Sequence, residues 1–174
     1  MDVSHKLGAR RRRALPLENH APTRPVHLLA VGSGDCLVTY RWELDRYPRV
    51  KGCIIFLQHV ANIATVLQEL DLLVMPSLWE ACPILPMEAM VSGTPLVRTD
   101  CIGLREILHG SSSVMIPKND PSALAAALRE AIKHPGKEGA RAYSPVARQR
   151  FDVRPIAKPL SDLFASLTCG SGKC

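Results

Sequence analysis

The stretch DLLVMPSLWEACPILPMEAMVSGTPLVRTD, residues 71–100, decides the fold of this chain. Its apolar run at residues 72–75 predicts a buried strand, and residues 83–92 predict a helix that ends at Gly93. Two prolines near the helix start agree with this, because the first helical turn has no backbone donors to lose. Residues 95–98 predict a second strand. A strand, a helix and a strand in this order predict a parallel pair joined by a crossover.

The alternation of strands and helices continues on both sides of this stretch. Further short apolar runs predict strands at residues 26–31, 53–57 and 113–116. Helices are predicted at 36–47, 63–70 and 104–108, from about 120 to 134, and near 156–167, with caps at Asn62 and at Asp120 or Ser122. The rest of the C-terminal region is expected to be less regular. This order predicts an α/β fold, a Rossmann-like parallel sheet with helices on both faces.

The composition predicts one globular domain behind a basic leader. The chain has 174 residues, of which 47% are hydrophobic and 22% charged, so it can bury a core. We predict a poorly ordered leader or linker at 1–25, a binding domain at 26–143, and a helix with a tail at 144–174. No apolar stretch approaches the roughly 20 residues that cross a bilayer.

Most of the net charge of +6 lies in the leader, where residues 10–13 are all arginine. Such a run is able to bind nucleic acid or an anionic membrane surface. The leader has no aromatic residue to stack on bases, which disfavours nucleic acid as a partner. A solvated arm is the favoured interpretation of the run, and peripheral membrane contact stays an alternative.

The cysteines predict a location in the reducing cytoplasm. The six cysteines form no CxxC pair and accompany no histidine cluster, so we expect no zinc site. The residues after Met1 contain no apolar segment that resembles a signal peptide. Reduced cysteines in apolar segments then act as small hydrophobic side chains.

Two carboxylates, Glu80 and Glu88, flank the start of the helix predicted at 83–92. Ionised carboxylates accept hydrogen bonds from hydroxyl groups, and the amides of a helix start attract anions. In an α/β sheet these groups follow the carboxyl end of a strand, where ligands bind. A sugar nucleotide has both hydroxyls and a diphosphate, so the pattern suits it. The spacing alone agrees equally well with two solvated acids near a helix N-terminus.

The segment DLLVMPSLWEACPILPMEAMVSGTPLVRTDCIGLREIL resembles the signature of retaining GT-B glycosyltransferases, especially glycosyltransferase family 4. The resemblance extends from residue 26 to about residue 135 and includes a Glu-x7-Glu pair. The matching residues, in order, are Pro76-Ser77, Glu80, Glu88, Ala89-Met90, Gly93, Pro95, Val97, Gly103, Glu106, Ile116-Pro117 and Asp120. The resemblance implies the C-terminal, donor-binding half of a GT-B fold.

The resemblance also implies the roles of individual residues. Glu88 would bind the ribose hydroxyls of a UDP- or GDP-linked donor, and Glu80 would bind the donor sugar near the reacting carbon as the catalytic residue. The backbone at the helix start would hold the sugar and diphosphate through Ala81, Cys82, Pro83 and Ile84. The proline nitrogen takes no part, because it has no hydrogen to donate. Gln58, His59 and Val60 would lie beside the base. The implied transfer uses no metal ion and no cofactor besides the donor.

Several departures from the family pattern limit the implied activity. The glycine-arginine and lysine motif that precedes the first matching strand has no counterpart in residues 1–25, and Ala81 replaces a glycine. By the resemblance we also expect the acceptor-binding N-terminal domain to be missing from these residues, so an acceptor sugar or glycolipid would bind through that missing domain. We therefore predict a nucleotide-sugar-binding domain with weak or no turnover by itself. The alternatives are a non-catalytic nucleotide-sugar-binding or interaction module and a basic nucleic-acid-binding domain.

Overall fold

The computed structural model describes residues 26–32, 34 and 36–169, and the predicted leader lies outside them. Among the described residues the chain alternates five short strands with eight helices. The elements are β1 (Leu28–Val31), α1 (Cys36–Leu44), α2 (Pro48–Lys51), β2 (Ile54–Leu57), α3 (Ile63–Glu69), β3 (Leu73–Met75), α4 (Ile84–Ser92), β4 (Leu96–Thr99), α5 (Ile102–Ile107), β5 (Val114–Ile116), α6 (Pro121–Lys133), α7 (Lys137–Arg150) and α8 (Arg154–Cys169). The predicted α/β class is therefore confirmed.

All strand pairs of the described residues are parallel, but they form two sheets and not one. β1 pairs with β2, with Leu28 opposite Ile54. The second sheet has the order β3-β4-β5, so β4 is its central strand. In this second sheet Val97 of β4 lies opposite Val74 on one side and Val114 on the other. The carboxyl ends of β3, β4 and β5 consequently share one edge.

The core of the protein surrounds the three-stranded sheet. All four residues of β4 are buried, as expected for a strand that is covered on both faces. Ala147 of α7 joins this core because α7 lies along α4. The buried cluster consists of Met75, Met90, Leu96, Cys101, Leu104, Leu108 and Ala147.

Local signals place several helix ends where the sequence predicts them. The Asn62 side chain accepts a hydrogen bond from the Thr65 amide at 3.2 Å and caps α3. Asp120 caps α6 by accepting from the amides of Ser122 and Ala123. Gly93 ends α4 in the left-handed conformation, with φ at 74°, which glycine adopts without a Cβ clash. These three predictions are confirmed.

The prediction of a less regular C-terminal region was wrong. Residues 137–150 form α7 despite Pro145. The final helix predicted near 156–167 is confirmed and is longer than predicted, since α8 extends over Arg154–Cys169 despite Pro159. A proline inside a helix removes a hydrogen bond and costs about 3 kcal/mol, which argues against a helix from sequence alone. In α7 the cost is offset by tertiary contact, since Ser144 Oγ donates to the Val91 carbonyl at 2.6 Å.

Helix α7 also crosses the predicted boundary between residues 143 and 144, with buried residues on both sides of it. Within the described residues no helix combines the length and the apolar character needed to cross a membrane.

Candidate functional site

Glu80 lies in the loop that follows β3, and only 3% of its surface is exposed. The hydroxyl of Ser77 donates a hydrogen bond to Glu80 Oε1 at 2.7 Å. Burying a carboxylate is costly unless hydrogen bonds compensate for the lost water. The Ser77 hydroxyl supplies one such bond three residues away, so the loop turns its acid inward at the carboxyl end of the sheet.

Two residues outside this loop hold it in place, one at the end of β4 and one in α5. Thr99 Oγ1 donates to the carbonyl oxygen of Ser77, which ties the loop to the end of β4. Gly103, in α5, lies directly against the Glu80–Ala81 peptide, and a Cβ at this position would overlap the Glu80 carbonyl. Only glycine allows helix α5 to approach the Glu80 backbone this closely. The position of Glu80 therefore depends on residues 19 and 23 positions later in the sequence, Thr99 and Gly103.

The start of α4 presents backbone donors beside Glu80. Pro83 is the N-cap residue in an extended conformation, and no side chain of the described residues caps this helix. Ala81 and Cys82 are exposed, Pro83 is buried, and Ile84 is 64% exposed. The first amides of a helix have no partner within it, and the helix dipole makes this end positive. The geometry at the start of α4 suits an anionic group.

Glu88 lies one turn inside α4 and is half-buried. Glu80, residues 81–84 and Glu88 thus follow one strand and surround one helix start, as the sequence predicts. Gln58, His59 and Val60 lie elsewhere, after β2 of the two-stranded sheet. Gln58 and His59 are exposed and Val60 is half-buried. Their predicted position beside a base stays a prediction.

An ion pair that the sequence analysis did not predict lies at the end of β4. Arg105 Nε donates to Asp100 Oδ1 at 2.6 Å. The hydrogen bond from Arg105 lowers the pKa of Asp100, and the same bond raises the pKa of Arg105. Both side chains are exposed, so water screens the pair. The spacing of five residues in the sequence carries no signal for such a pair.

Arg98, in the central strand β4, is a buried cation. Its side chain is almost fully covered, and Nε donates to Ser113 Oγ at 3.3 Å. The buried Nη1 has no hydrogen-bond partner in the structure. Burial lowers the pKa of Arg98 below its ordinary value. An arginine inside the apolar run of residues 95–98 is the sequence signal that would have identified this residue.

The positioning roles of Ser77, Thr99 and Gly103 were also missed. Ser77 and Gly103 belong to the motif that carries the family resemblance, but the motif does not say what they contact. Their roles depend on contacts between β3, β4 and α5, which no local pattern of the sequence describes.

Comparison with known proteins identifies the family. The model of the family Glycosyl transferases group 1 matches residues 12–134. Glycogen synthase of Mycobacterium tuberculosis is 30% identical over 138 residues, which cover 74% of this chain and 33% of that protein. D-inositol 3-phosphate glycosyltransferase of Corynebacterium urealyticum is 32% identical over 108 residues, covering 61% of this chain and 26% of the relative.

The fold is also similar to that of solved structures. HepE of Anabaena in complex with UDP and glucose superposes with a TM-score of 0.68 and 26% identity, over 81% of this chain and 41% of HepE. The chain spans about a third of the length of the first of these curated relatives. With a family model that matches most of its residues, this chain belongs to the family Glycosyl transferases group 1.

Proposed function

We propose that this chain forms the nucleotide-sugar-binding part of a glycosyltransferase that retains the anomeric configuration of the sugar and requires no metal ion. The observation that carries this proposal is the buried, hydrogen-bonded Glu80 beside the uncapped start of α4. The complex of HepE with UDP and glucose supports a donor of this class. The donor is then the substrate, and no separate cofactor takes part.

Each group of the proposed site has a separate task. Glu88 binds the ribose hydroxyls, because a carboxylate accepts two hydrogen bonds at once. Glu80 binds the donor sugar near the reacting carbon. The amides between Ala81 and Leu85, apart from Pro83, bind the diphosphate, whose negative charge the positive end of α4 stabilises. Stabilising the diphosphate as it leaves is the main electrostatic task of such a site. Gln58, His59 and Val60 lie beside the base.

The acceptor belongs to polypeptide outside this sequence. We propose that a second domain holds an acceptor sugar or glycolipid, in agreement with the 33% of the mycobacterial relative that the chain covers. We propose a cytoplasmic protein, with peripheral membrane contact where the acceptor is a lipid. The 174-residue chain then binds the donor but transfers the sugar slowly, since one side of the cleft is missing.

Calorimetry with UDP-glucose and GDP-mannose tests the proposed site. We expect one of the two donors to bind, and Glu88→Gln to weaken binding at least about tenfold, because a charge-assisted hydrogen bond contributes about 1.5–3 kcal/mol. Glu69→Gln is the matched control, since Glu69 is an exposed glutamate on α3. Equal affinity of the wild type and Glu88→Gln would contradict the assigned site.

A second candidate is a non-catalytic nucleotide-sugar-binding module. It is favoured because the chain covers only 33% of the length of the mycobacterial relative. The two candidates differ in turnover and not in binding. Release of UDP from UDP-glucose, measured with the Glu80→Gln variant as control, separates them. Salt-sensitive binding to RNA without binding to either donor would overturn both candidates and support a nucleic-acid-binding protein.

A further inference from the structure

The loop between β3 and α4 exposes a large aromatic side chain directly beside Glu80. Trp79 is 65% exposed, whereas the next residue, Glu80, is 3% exposed. The hydrophobic effect stabilises a fold only through apolar surface that is removed from water. Most of the Trp79 indole therefore contributes nothing to the core, although it lies next to the carboxylate of the proposed site.

Trp79 is one of several exposed apolar side chains at this edge of the three-stranded sheet. Ile84, at the start of α4, is 64% exposed, and Ile102, at the start of α5, is 59% exposed. Gly103 lies against the Glu80–Ala81 peptide, so the start of α5 lies beside the loop that holds Trp79. Exposed apolar side chains that are grouped in this way mark binding sites, whereas those that are scattered singly need no explanation.

The second tryptophan of the chain differs from Trp79 in what covers its ring. Trp42, on α1, is also 65% exposed, but the guanidinium of Arg46 lies over its ring, 5.5 Å from the centroid. In the part of the chain that the structure describes, no cation lies over the ring of Trp79 and no acceptor pairs with its indole N–H. The exposed face and the N–H of Trp79 are thus accessible to a ligand.

The backbone that carries Trp79 is held on both sides. The hydrogen bond from the Ser77 hydroxyl to Glu80 Oε1, at 2.7 Å, closes a turn that contains Trp79. Thr99 Oγ1 donates to the Ser77 carbonyl and so ties this turn to β4. A binding side chain on a supported backbone loses less conformational entropy when a ligand binds. The loop therefore presents the indole to solvent on a supported backbone.

Trp79 lies close to the groups that form the proposed site. The described residues contain no cis peptide bond, so the Cα atoms of Trp79 and Glu80 are about 3.8 Å apart. Both residues follow the carboxyl end of β3, and ligands of parallel sheets bind at that edge. A hexose that contacts Glu80 is consequently within reach of the neighbouring indole.

A sugar ring is the ligand that suits an indole next to a carboxylate. One face of a pyranose presents C–H groups, whose partial positive charge is attracted by the negative π face of an aromatic ring. The edge of the same ring carries hydroxyls, which donate to a carboxylate such as Glu80 and accept from the indole N–H of Trp79. A diphosphate has no apolar face and gains nothing from the indole. The pair of side chains therefore matches the sugar half of a nucleotide sugar.

We propose that Trp79 is a stacking surface for the donor sugar, whose C–H face packs on the indole while its hydroxyls reach Glu80. This inference rests on the proposed function and adds to it a residue that recognises the sugar and not the nucleotide. Trp79 then contributes to the affinity for a nucleotide sugar but not to the affinity for the free nucleoside diphosphate. This difference is what the two experiments below measure.

The fluorescence of the Trp42→Phe variant, in which Trp79 is the remaining tryptophan, is the first test. The ligand is UDP-glucose or GDP-mannose, whichever binds in calorimetry, and UDP or GDP is the control. We expect the nucleotide sugar to change the Trp79 emission and the diphosphate to leave it unchanged, because only the sugar removes the indole from water. Donor binding without a change in emission would overturn this inference alone. An equal response to both ligands would also overturn it, in favour of stacking on the base.

Calorimetry of tryptophan variants is the second test. Trp79→Ala should weaken binding of the nucleotide sugar at least about fivefold and binding of the diphosphate less than about twofold, and Trp79→Phe should retain most of the affinity. Trp42→Ala is the matched control, since Trp42 is equally exposed, and should change neither affinity. Equal losses for both ligands in Trp79→Ala would contradict the inference, because they would indicate a role in the shape of the loop. A wild-type chain that binds neither donor would overturn the proposed function and this inference together.

Discussion

The two sheets of this protein differ in how well they are covered. In the three-stranded sheet all four residues of β4 are buried, and α4, α5 and α7 surround it. In the two-stranded sheet each strand has two exposed residues, Leu28 and Val31 in β1, and Ile55 and Leu57 in β2, whereas the three-stranded sheet has such a pair in its edge strand β5, Val114 and Met115. Both sheets have apolar strands, so strand composition does not explain the difference. The difference lies in the number of elements that pack against each sheet.

The residues of the proposed site are divided between the two sheets, which differ in their contribution to stability. Glu80 and Glu88 lie in the well-covered half, where Ser77 and Gly103 hold the loop. The loop predicted to lie beside a base, Gln58–Val60, follows β2 in the poorly covered half. A two-stranded sheet by itself is marginally stable in water. Affinity for a nucleotide should therefore depend on the half that contributes less to the stability of the fold.

The largest expected difference between the halves concerns large-to-small substitutions. Leu104→Ala removes a fully buried side chain and should lower the free energy of unfolding by about 2–5 kcal/mol. Leu28→Ala is the matched substitution in β1, and should cost less than about 1 kcal/mol because half of this side chain is already in water. Urea denaturation of both variants measures the difference. Similar losses would show that the two sheets are equally important for stability.

A smaller effect is expected where α5 meets the Glu80 loop. Gly103→Ala places a methyl group against the Glu80 carbonyl, and should cost about 1–3 kcal/mol and displace the loop. Gly139→Ala is the control, since Gly139 also lies in a helix and has open space around its Cβ position. This control should be neutral or stabilising by up to about 1 kcal/mol. Equal thermal stability of the two variants would contradict the packing role of Gly103.

Arg98 tests whether a side chain in the three-stranded sheet lowers the free energy of unfolding. Arg98→Met should raise the free energy of unfolding by about 1 kcal/mol, because it removes a buried cation with an unpaired Nη1 and keeps an apolar side chain of similar length. Ser113→Ala is the companion variant and removes the acceptor of Arg98 Nε together with a hydrogen bond to Ser111 Oγ, so it should destabilise the wild type more than it destabilises Arg98→Met. A destabilised Arg98→Met protein would mean that the guanidinium has a compensating partner.

The smallest expected effect is the pH dependence of the exposed ion pair at the end of β4. The pKa of Asp100 is below its ordinary value of 3.8, so the pair stabilises the folded state above that pH and loses its effect as the pH falls through the lowered pKa. NMR titration of the Asp100 carboxyl should show its pKa returning toward 3.8 in Arg105→Ala. An unchanged titration would mean that Arg105 does not contact Asp100 in solution.

Much of the local structure could be predicted from the sequence. The caps at Asn62 and Asp120 and the end of α4 at Gly93 depend on side chains or dihedral angles within a few residues, so their patterns are visible locally. The same holds for the placement of Glu80 and Glu88 around a helix start. Helix α7 was missed because Pro145 argues against it locally, and only its contacts with α4 make it favourable.

The sequence by itself determined the order of strands and helices, the parallel connections and the carboxylates that follow β3. These follow from hydrophobic periodicity and capping, which act over a few residues. Tertiary structure alone decided that the Glu80 loop is tied to β4 through Thr99, that Gly103 has to be glycine, and that the strands divide into two sheets. The physical reason is that these features arise from contacts between elements distant in the chain, whose partners no local pattern specifies.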